Sequence, residues 1–146
     1  MFKHILLATD GSDASTHAAQ LAVGLARAHG ARLTALYVVD PYPYLGIGEA
    51  NPMGFQAYMG AALEHAAAAH AKVLELAQGG GPAVDVQLRR AEDVATATGI
   101  TETARAEGCD LVVVGSHGRS GLPRMLLGSV ASKVVAQSEV PVLVAR

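Results

Sequence analysis

Cysteine, tryptophan and aromatic residues in general are what this 146-residue chain has least of: one cysteine, no tryptophan and 4% Phe, Trp and Tyr together. Cys109 stands alone, so no intrachain disulfide can form and no second thiolate is at hand for a metal cluster. A lone thiol suits a reducing compartment, and Cys109 reads as a small buried residue at a strand entrance. Charge of one sign is missing too. Thirteen acidic against 11 basic residues leave a formal net charge of −2, which gives no global positive field for DNA, RNA or an anionic membrane. Any anion site must therefore be local. The run Met1 to Ala8 is too short for a signal-peptide core, and nothing approaches the roughly 18 uninterrupted apolar residues of a membrane span. A cytoplasmic protein is expected. With 51% hydrophobic and 16% charged residues, residues 1–146 are expected to form one globular domain with a substantial core.

What is present is concentrated near the C-terminus. The apolar run Leu111-Val112-Val113-Val114 empties into Gly115-Ser116-His117-Gly118, and nine residues later come Gly128-Ser129. A strand that runs into spaced glycines and then a helix start is a place for phosphate. Glycine admits a ligand close to the main chain, and free N–H groups at a helix N-terminus supply donors and a positive dipole end.

Elsewhere β-rich apolar runs alternate with alanine-rich helical patterns. Phe2 to Ala8 is predicted as a strand. Ser12 or Asp13 then caps a helix whose inward stripe is Ala14, Ala18, Leu21 and Leu25, and Gly30 stops it. Arg32 to Val39 forms a second strand. A helix over Gln56 to Gln78 carries Leu63, Ala67, His70, Leu74 and Ala77 on one face and ends at Gly79-Gly80-Gly81-Pro82. A third strand is predicted over Ala83 to Leu88, a helix over Thr96 to Glu107 with Ile100 and Ala104 inward, and a fourth strand over Leu111 to Val114. A helix over Ser129 to Gln137 and a last strand over Val140 to Ala145 complete the chain. Five strands with four helical crossovers imply an α/β, Rossmann-like, doubly wound parallel sheet.

In such sheets ligands bind beyond the carboxyl ends of the strands, where strand order reverses. An order of 3-2-1-4-5 puts strands one and four side by side, so Thr9-Asp10-Gly11-Ser12 and the segment from Gly115 to Ser129 line one cleft. Other chemistries find little support. The loop is not G-x4-G-K-[ST], so no Walker lysine is present, and no G-x-G-x-x-G follows the first strand. His65 and His70 lie five apart and do not share a helix face as metal ligands would. His117 offers an acid or base, but no spaced Ser and Asp partners announce a triad, and a side-chain hydrogen bond that shapes the loop is the expected role.

Ala8-Thr9-Asp10-Gly11-Ser12, the pattern G-x2-G-x9-G-S at Gly115, Gly118, Gly128 and Ser129, and the closing Val140-Pro141-Val142-Leu143-Val144 together resemble the universal stress protein family. The glycine pattern resembles that of its ATP-binding branch. The resemblance implies ATP with Mg²⁺ or Mn²⁺ as ligands. It implies Asp10 beside the ribose or a phosphate-bound metal, a position that equally suits an Asx turn or helix cap. It implies adenine at the backbone of Val38 with Ala8 and Val114 as apolar neighbours, held by aliphatic packing because aromatics are so few. Thr9 lines the same cleft. Gly115, Ser116, His117 and Gly118 bring main chain to the phosphates, Gly128, Ser129 and Val130 complete the set, and Arg119 stands where a guanidinium reaches the β- or γ-phosphate or is simply solvated. A homodimer paired through strand 140–145 is also implied, as a hydrophobic edge strand needs cover. Ser116 and Ser120 are the hydroxyls for any slow autophosphorylation.

Two stretches depart from that pattern. Val94 occupies a position where the family usually has glycine, so the turn after the third strand must differ. The stretch from Asp40 through Gly54 is long for a connection and reads as a lid, a partner surface or a plain surface loop. The sequence thus points to a nucleotide-binding regulatory module with slow hydrolysis or none. The alternative is a nucleotide-free adaptor dimer of the same fold, and the downstream partner is not readable.

Overall fold

The computed structural model describes residues 1–42, 52–117 and 127–146. Nine elements alternate along them: β1 (His4–Ala8), α1 (Asp13–His29), β2 (Arg32–Val39), α2 (Pro52–Gln78), β3 (Val86–Glu92), α3 (Thr96–Ala106), β4 (Leu111–Gly115), α4 (Ser129–Gln137) and β5 (Val142–Ala145). The strands form one parallel sheet in the order β3-β2-β1-β4-β5, as expected.

Strand alternation divides the core between the two faces of the sheet. Ile5, Leu7, Leu33, Ala35, Leu111 and Val113 face α1 and α2, while Leu6, Leu36, Val112 and Val114 face α3 and α4. β1 is the central strand, and Ile5, Leu6 and Leu7 are fully buried. The Ser12 Oγ accepts from the Ser15 N–H at 3.2 Å and caps α1, and Gly30 closes that helix.

The inward stripes of the two long helices match those expected only in part: Ala18 and Ala77 are buried and Leu25 packs against the core. In α1 the buried residues are Ser15, Ala18, Ala19, Ala22, Val23 and Ala26, whereas Ala14 and Leu21 are exposed. In α2 they are Ala62, Ala66, Ala69, Val73 and Ala77, whereas Leu63 and Ala67 are exposed and His70 and Leu74 half-buried. Small residues face the sheet along most of these stripes, and the larger Leu21 and Leu63 turn outward.

β3 also lies further along the chain than Ala83 to Leu88. Arg89, Arg90, Ala91 and Glu92 pair with Leu36, Tyr37, Val38 and Val39. As an edge strand with a largely exposed surface, β3 tolerates charges that an interior strand would not. Its turn comes at Asp93, which adopts φ 55. Val94 instead packs with Val38 around Gly99 of α3, where a Cβ would meet Val94 Cγ1 at 3.1 Å and Val38 Cγ1 at 3.2 Å. β5 begins at Val142, not Val140. Pro141 carries no N–H, yet its carbonyl accepts from the Val112 N–H at 3.0 Å.

At the amino ends of the strands a polar network is enclosed. Thr34, with no exposed surface, donates its hydroxyl proton to Glu107 Oε2 at 2.8 Å and faces His4 Nε2 at 2.8 Å. With the Thr34 proton committed, His4 Nε2 is the donor in that second bond. Arg89 Nε donates to Glu107 Oε1 at 2.7 Å. Thr34→Val keeps the shape but leaves His4 Nε2 and Glu107 Oε2 short of a partner, and should cost about 1–3 kcal/mol. A lowered urea midpoint at constant m-value is the expected result; an unchanged midpoint contradicts it.

Candidate functional site

At the opposite edge, beyond the carboxyl ends of β2, β1 and β4, lies a cavity of about 310 Å³. Its lining includes Ala8, Thr9 and Asp10 after β1, Val38 in β2, Val114, Gly115, Ser116 and His117 of β4 and its exit, and Gly128, Ser129 and Val130 at the start of α4. Every site residue expected from the sequence that is described is therefore brought to one concavity. Gly118 and Arg119, and with them Ser120, lie outside the described residues, as do residues 43–51 of the long connection.

The β1 exit is a braced turn. Asp10 Oδ1 accepts from the Ser12 N–H at 2.9 Å, which makes the Asx turn one of its roles. Thr9 Oγ1 lies 3.3 Å from Ser15 Oγ, the Thr9 N–H donates to the Leu36 carbonyl at 3.0 Å, and Lys72 Nζ donates to the Gly11 carbonyl at 2.7 Å. On the other side, the Ser116 N–H donates to the Ala145 carbonyl and the Gly128 N–H to the Ser116 carbonyl, both at 2.7 Å. Gly128 is thus seated on the exit of β4, and a Cβ there would meet the Ser116 carbonyl oxygen at 2.8 Å. Ser116 Oγ and His117 Nδ1 are 2.9 Å apart, a side-chain bond of the kind expected to shape this loop.

Among the described residues no side chain caps α4. Its first N–H groups, from Ser129 onward, therefore open at the cavity and carry the positive end of the helix dipole. α3, with Ala95 as its N-cap, is likewise without a side-chain cap, and its first residue Thr96 also lines the cavity. α1 contrasts with both, because Ser12 already occupies its end.

Sequence reasoning missed several lining residues: Ser15, Leu36, Tyr37, Asp40, Thr96, Ile100 and Ala131. Asp40 Oδ1 accepts from Thr96 Oγ1 at 2.7 Å, and the Asp40 carbonyl accepts from the Tyr58 hydroxyl at 2.7 Å. Burial, and then the nearby Asp40 and Tyr37, push the Tyr58 phenol above its ordinary pKa. The signal that could have found Asp40 is its place one residue past a strand end on the ligand edge of the sheet.

Cys109 is 4% exposed, and burial foremost, followed by Glu107 and Asp110, pushes its thiol up to about 11. The fold does bring His4, Glu107 and Cys109 within 4.8 Å of one another, a metal-capable grouping not visible in the sequence. Hydrogen bonds to Thr34 and Arg89 engage His4 and Glu107. No such grouping involves Asp10 among the described residues. No helix there is long and apolar enough to cross a membrane.

The model of the universal stress protein family matches residues 1–146. A universal stress protein of Thermus aquaticus is 39% identical over 147 residues, covering 100% of both chains. Among solved structures, a universal stress protein of Lactobacillus plantarum superposes with a TM-score of 0.80 at 28% identity, covering 99% of this chain and 97% of that one. A universal stress protein in complex with cAMP gives a TM-score of 0.68 at 27% identity, with 99% and 97% coverage.

Proposed function

This chain belongs to the universal stress protein family, and from that premise we propose that it is an ATP-binding regulatory protein of the stress response. The single observation that carries the reading is the seat of Gly128 on the Ser116 carbonyl, which opens the uncapped start of α4 onto the cavity. In this reading the phosphates take N–H groups of α4 and the hydroxyl of Ser129, with Gly115, Ser116, His117, Gly118 and Arg119 around them. The adenosine lies over Thr9 toward Val38, between Ala8, Val114 and Val130. The cAMP complex of a structural relative supports a nucleotide in this fold.

A divalent cation, Mg²⁺ or Mn²⁺, fits beside Asp10, the carboxylate at the β1 end of the cavity. As no grouping of three or more His, Cys, Asp or Glu among the described residues includes Asp10, phosphate oxygens and water would supply most ligands. Hydrolysis is slow or absent in this reading, because the glycine loop carries no Walker lysine. We place the protein in the cytoplasm, as a single 1–146 domain that pairs with a second copy through strand 140–145. Val142, Leu143 and Val144 are only half-buried at the sheet edge, which favours that pairing.

Ser129→Ala tests the phosphate end. Loss of one hydroxyl bonded to phosphate should weaken ATP binding by about 1–2 kcal/mol, or roughly five- to thirtyfold, without a change in dimerisation. Unchanged affinity would remove Ser129 from the site. The second reading, a nucleotide-free adaptor dimer, is favoured by the same apolar edge strand, and nucleotide occupancy separates the two.

A further inference from the structure

The cavity crosses the carboxyl ends of three neighbouring strands, from Gly115 and Ser116 at β4, over Thr9 and Asp10 at β1, to Val38 and Asp40 at β2. Neighbouring strands are about 4.8 Å apart, so the two ends are about 10 Å from each other, a span that suits a phosphate at one end and a base at the other. With phosphate at the start of α4, the base falls at β2.

Among the described residues, that end carries apolar walls, Tyr37, Thr96 and one charged side chain. Leu36, Val38 and Ile100 form the walls, and Asp40 is the charged group among them. Asp40 is held from two sides: its Oδ1 accepts from Thr96 Oγ1, and its carbonyl accepts from the Tyr58 hydroxyl, both at 2.7 Å. Oδ2 makes no hydrogen bond to another described residue. An ionised carboxylate only accepts, and the donor that an adenine ring offers is its exocyclic 6-amino group. The geometry points to Asp40 as the residue that reads the base, its Oδ2 accepting from the 6-amino group of an adenine nucleotide while Thr96 fixes the carboxylate. This inference rests on the nucleotide reading of the same cavity and adds to it the choice of purine.

Affinities of the wild type and of Asp40→Ala for ATP and for purine riboside triphosphate, which has hydrogen in place of the 6-amino group, test it as a cycle. The wild type should bind ATP roughly tenfold more tightly than the analogue, and Asp40→Ala should bind the two alike. Asp40→Asn keeps the shape and gains an N–H donor, so inosine triphosphate with its 6-oxo acceptor should improve relative to ATP. Three results overturn the inference while leaving the nucleotide reading standing. One is a wild type without preference for the amino group. Another is a preference that survives in Asp40→Ala, as it would if Asp40 only braced α3 and both ligands weakened equally. The third is coupling of Asp40 to 2′- or 3′-deoxy analogues instead, which would assign it to the ribose. A folded wild type that binds neither triphosphate overturns the nucleotide reading and this inference together.

Discussion

Replacing Gly128 with alanine should reduce ATP affinity by about a hundredfold and leave the chain folded. The backbone of Gly128, at φ −60 and ψ 156, is open to any residue, so conformational freedom is not the reason for glycine here. The reason is contact. The added Cβ would lie 2.8 Å from the Ser116 carbonyl oxygen and 3.6 Å from His117 Cα. Both are main-chain atoms, fixed by the bond from the Ser116 N–H to the Ala145 carbonyl, and neither can swing away as a side chain would. The start of α4 must therefore move off β4, carrying with it the N–H groups proposed to face phosphate. Loss of two charge-assisted hydrogen bonds at about 1.5 kcal/mol each gives about 3 kcal/mol, or the hundredfold stated. The buried anchors of α4, Ala131 and Val134, lie further along the helix and keep it docked. Calorimetric titration measures the loss and circular dichroism the fold; native affinity in a folded Gly128→Ala protein would contradict this account of the loop.

Ala69→Leu should be the most damaging single change in α2, lowering stability by about 3 kcal/mol through overpacking. Ala69 has no exposed surface and clusters with Tyr37, Val39, Ala62 and Ala66. It also presses on the first ligand loop, since a Cβ at Gly11 would lie 3.2 Å from Ala69 Cβ. A leucine there has nowhere to extend without displacing α2 or the Gly11 turn, which Lys72 ties to the same helix. For a domain of this size the melting temperature should fall by about 10 °C. The contrasting change is Leu63→Ala, which trims a side chain 39% exposed and should cost less than about 1 kcal/mol. Thermal and urea melts of both variants decide the matter. The opposite ranking would restore the stripe read from the sequence.

That pair of substitutions marks where the sequence was legible and where it was not. Strand count, helix order and the 3-2-1-4-5 sheet follow from the alternation of β-branched runs with alanine-rich segments, because parallel crossovers leave few topologies. Helix phase does not follow when alanine is everywhere. With Ala62, Ala66, Ala67, Ala68, Ala69 and Ala71 all available, periodicity fits more than one stripe, and close packing against the sheet selects alanines over leucines. The edge strand β3 was misplaced because Arg89, Arg90 and Glu92 look like a loop until their exposure at the sheet margin is known. At the cavity, the contributions of β1, β4 and α4 were readable because glycine and serine spacing records main-chain approach. Asp40 and Thr96 were not, since a tertiary contact between residues 56 positions apart leaves no local pattern. The grouping of His4, Glu107 and Cys109 was hidden for the same reason.

The central claim is that this cavity holds ATP. Calorimetric titration of the wild type, stripped of co-purifying nucleotide, with ATP in the presence and absence of Mg²⁺ tests it most directly, as the lack of tryptophan leaves little intrinsic fluorescence to follow. Saturable binding in the micromolar range at about one site per chain, corresponding to about −8 kcal/mol, is the predicted result. A folded protein that takes up no ATP at millimolar concentration would contradict the claim and leave the glycine pattern as architecture for an adaptor.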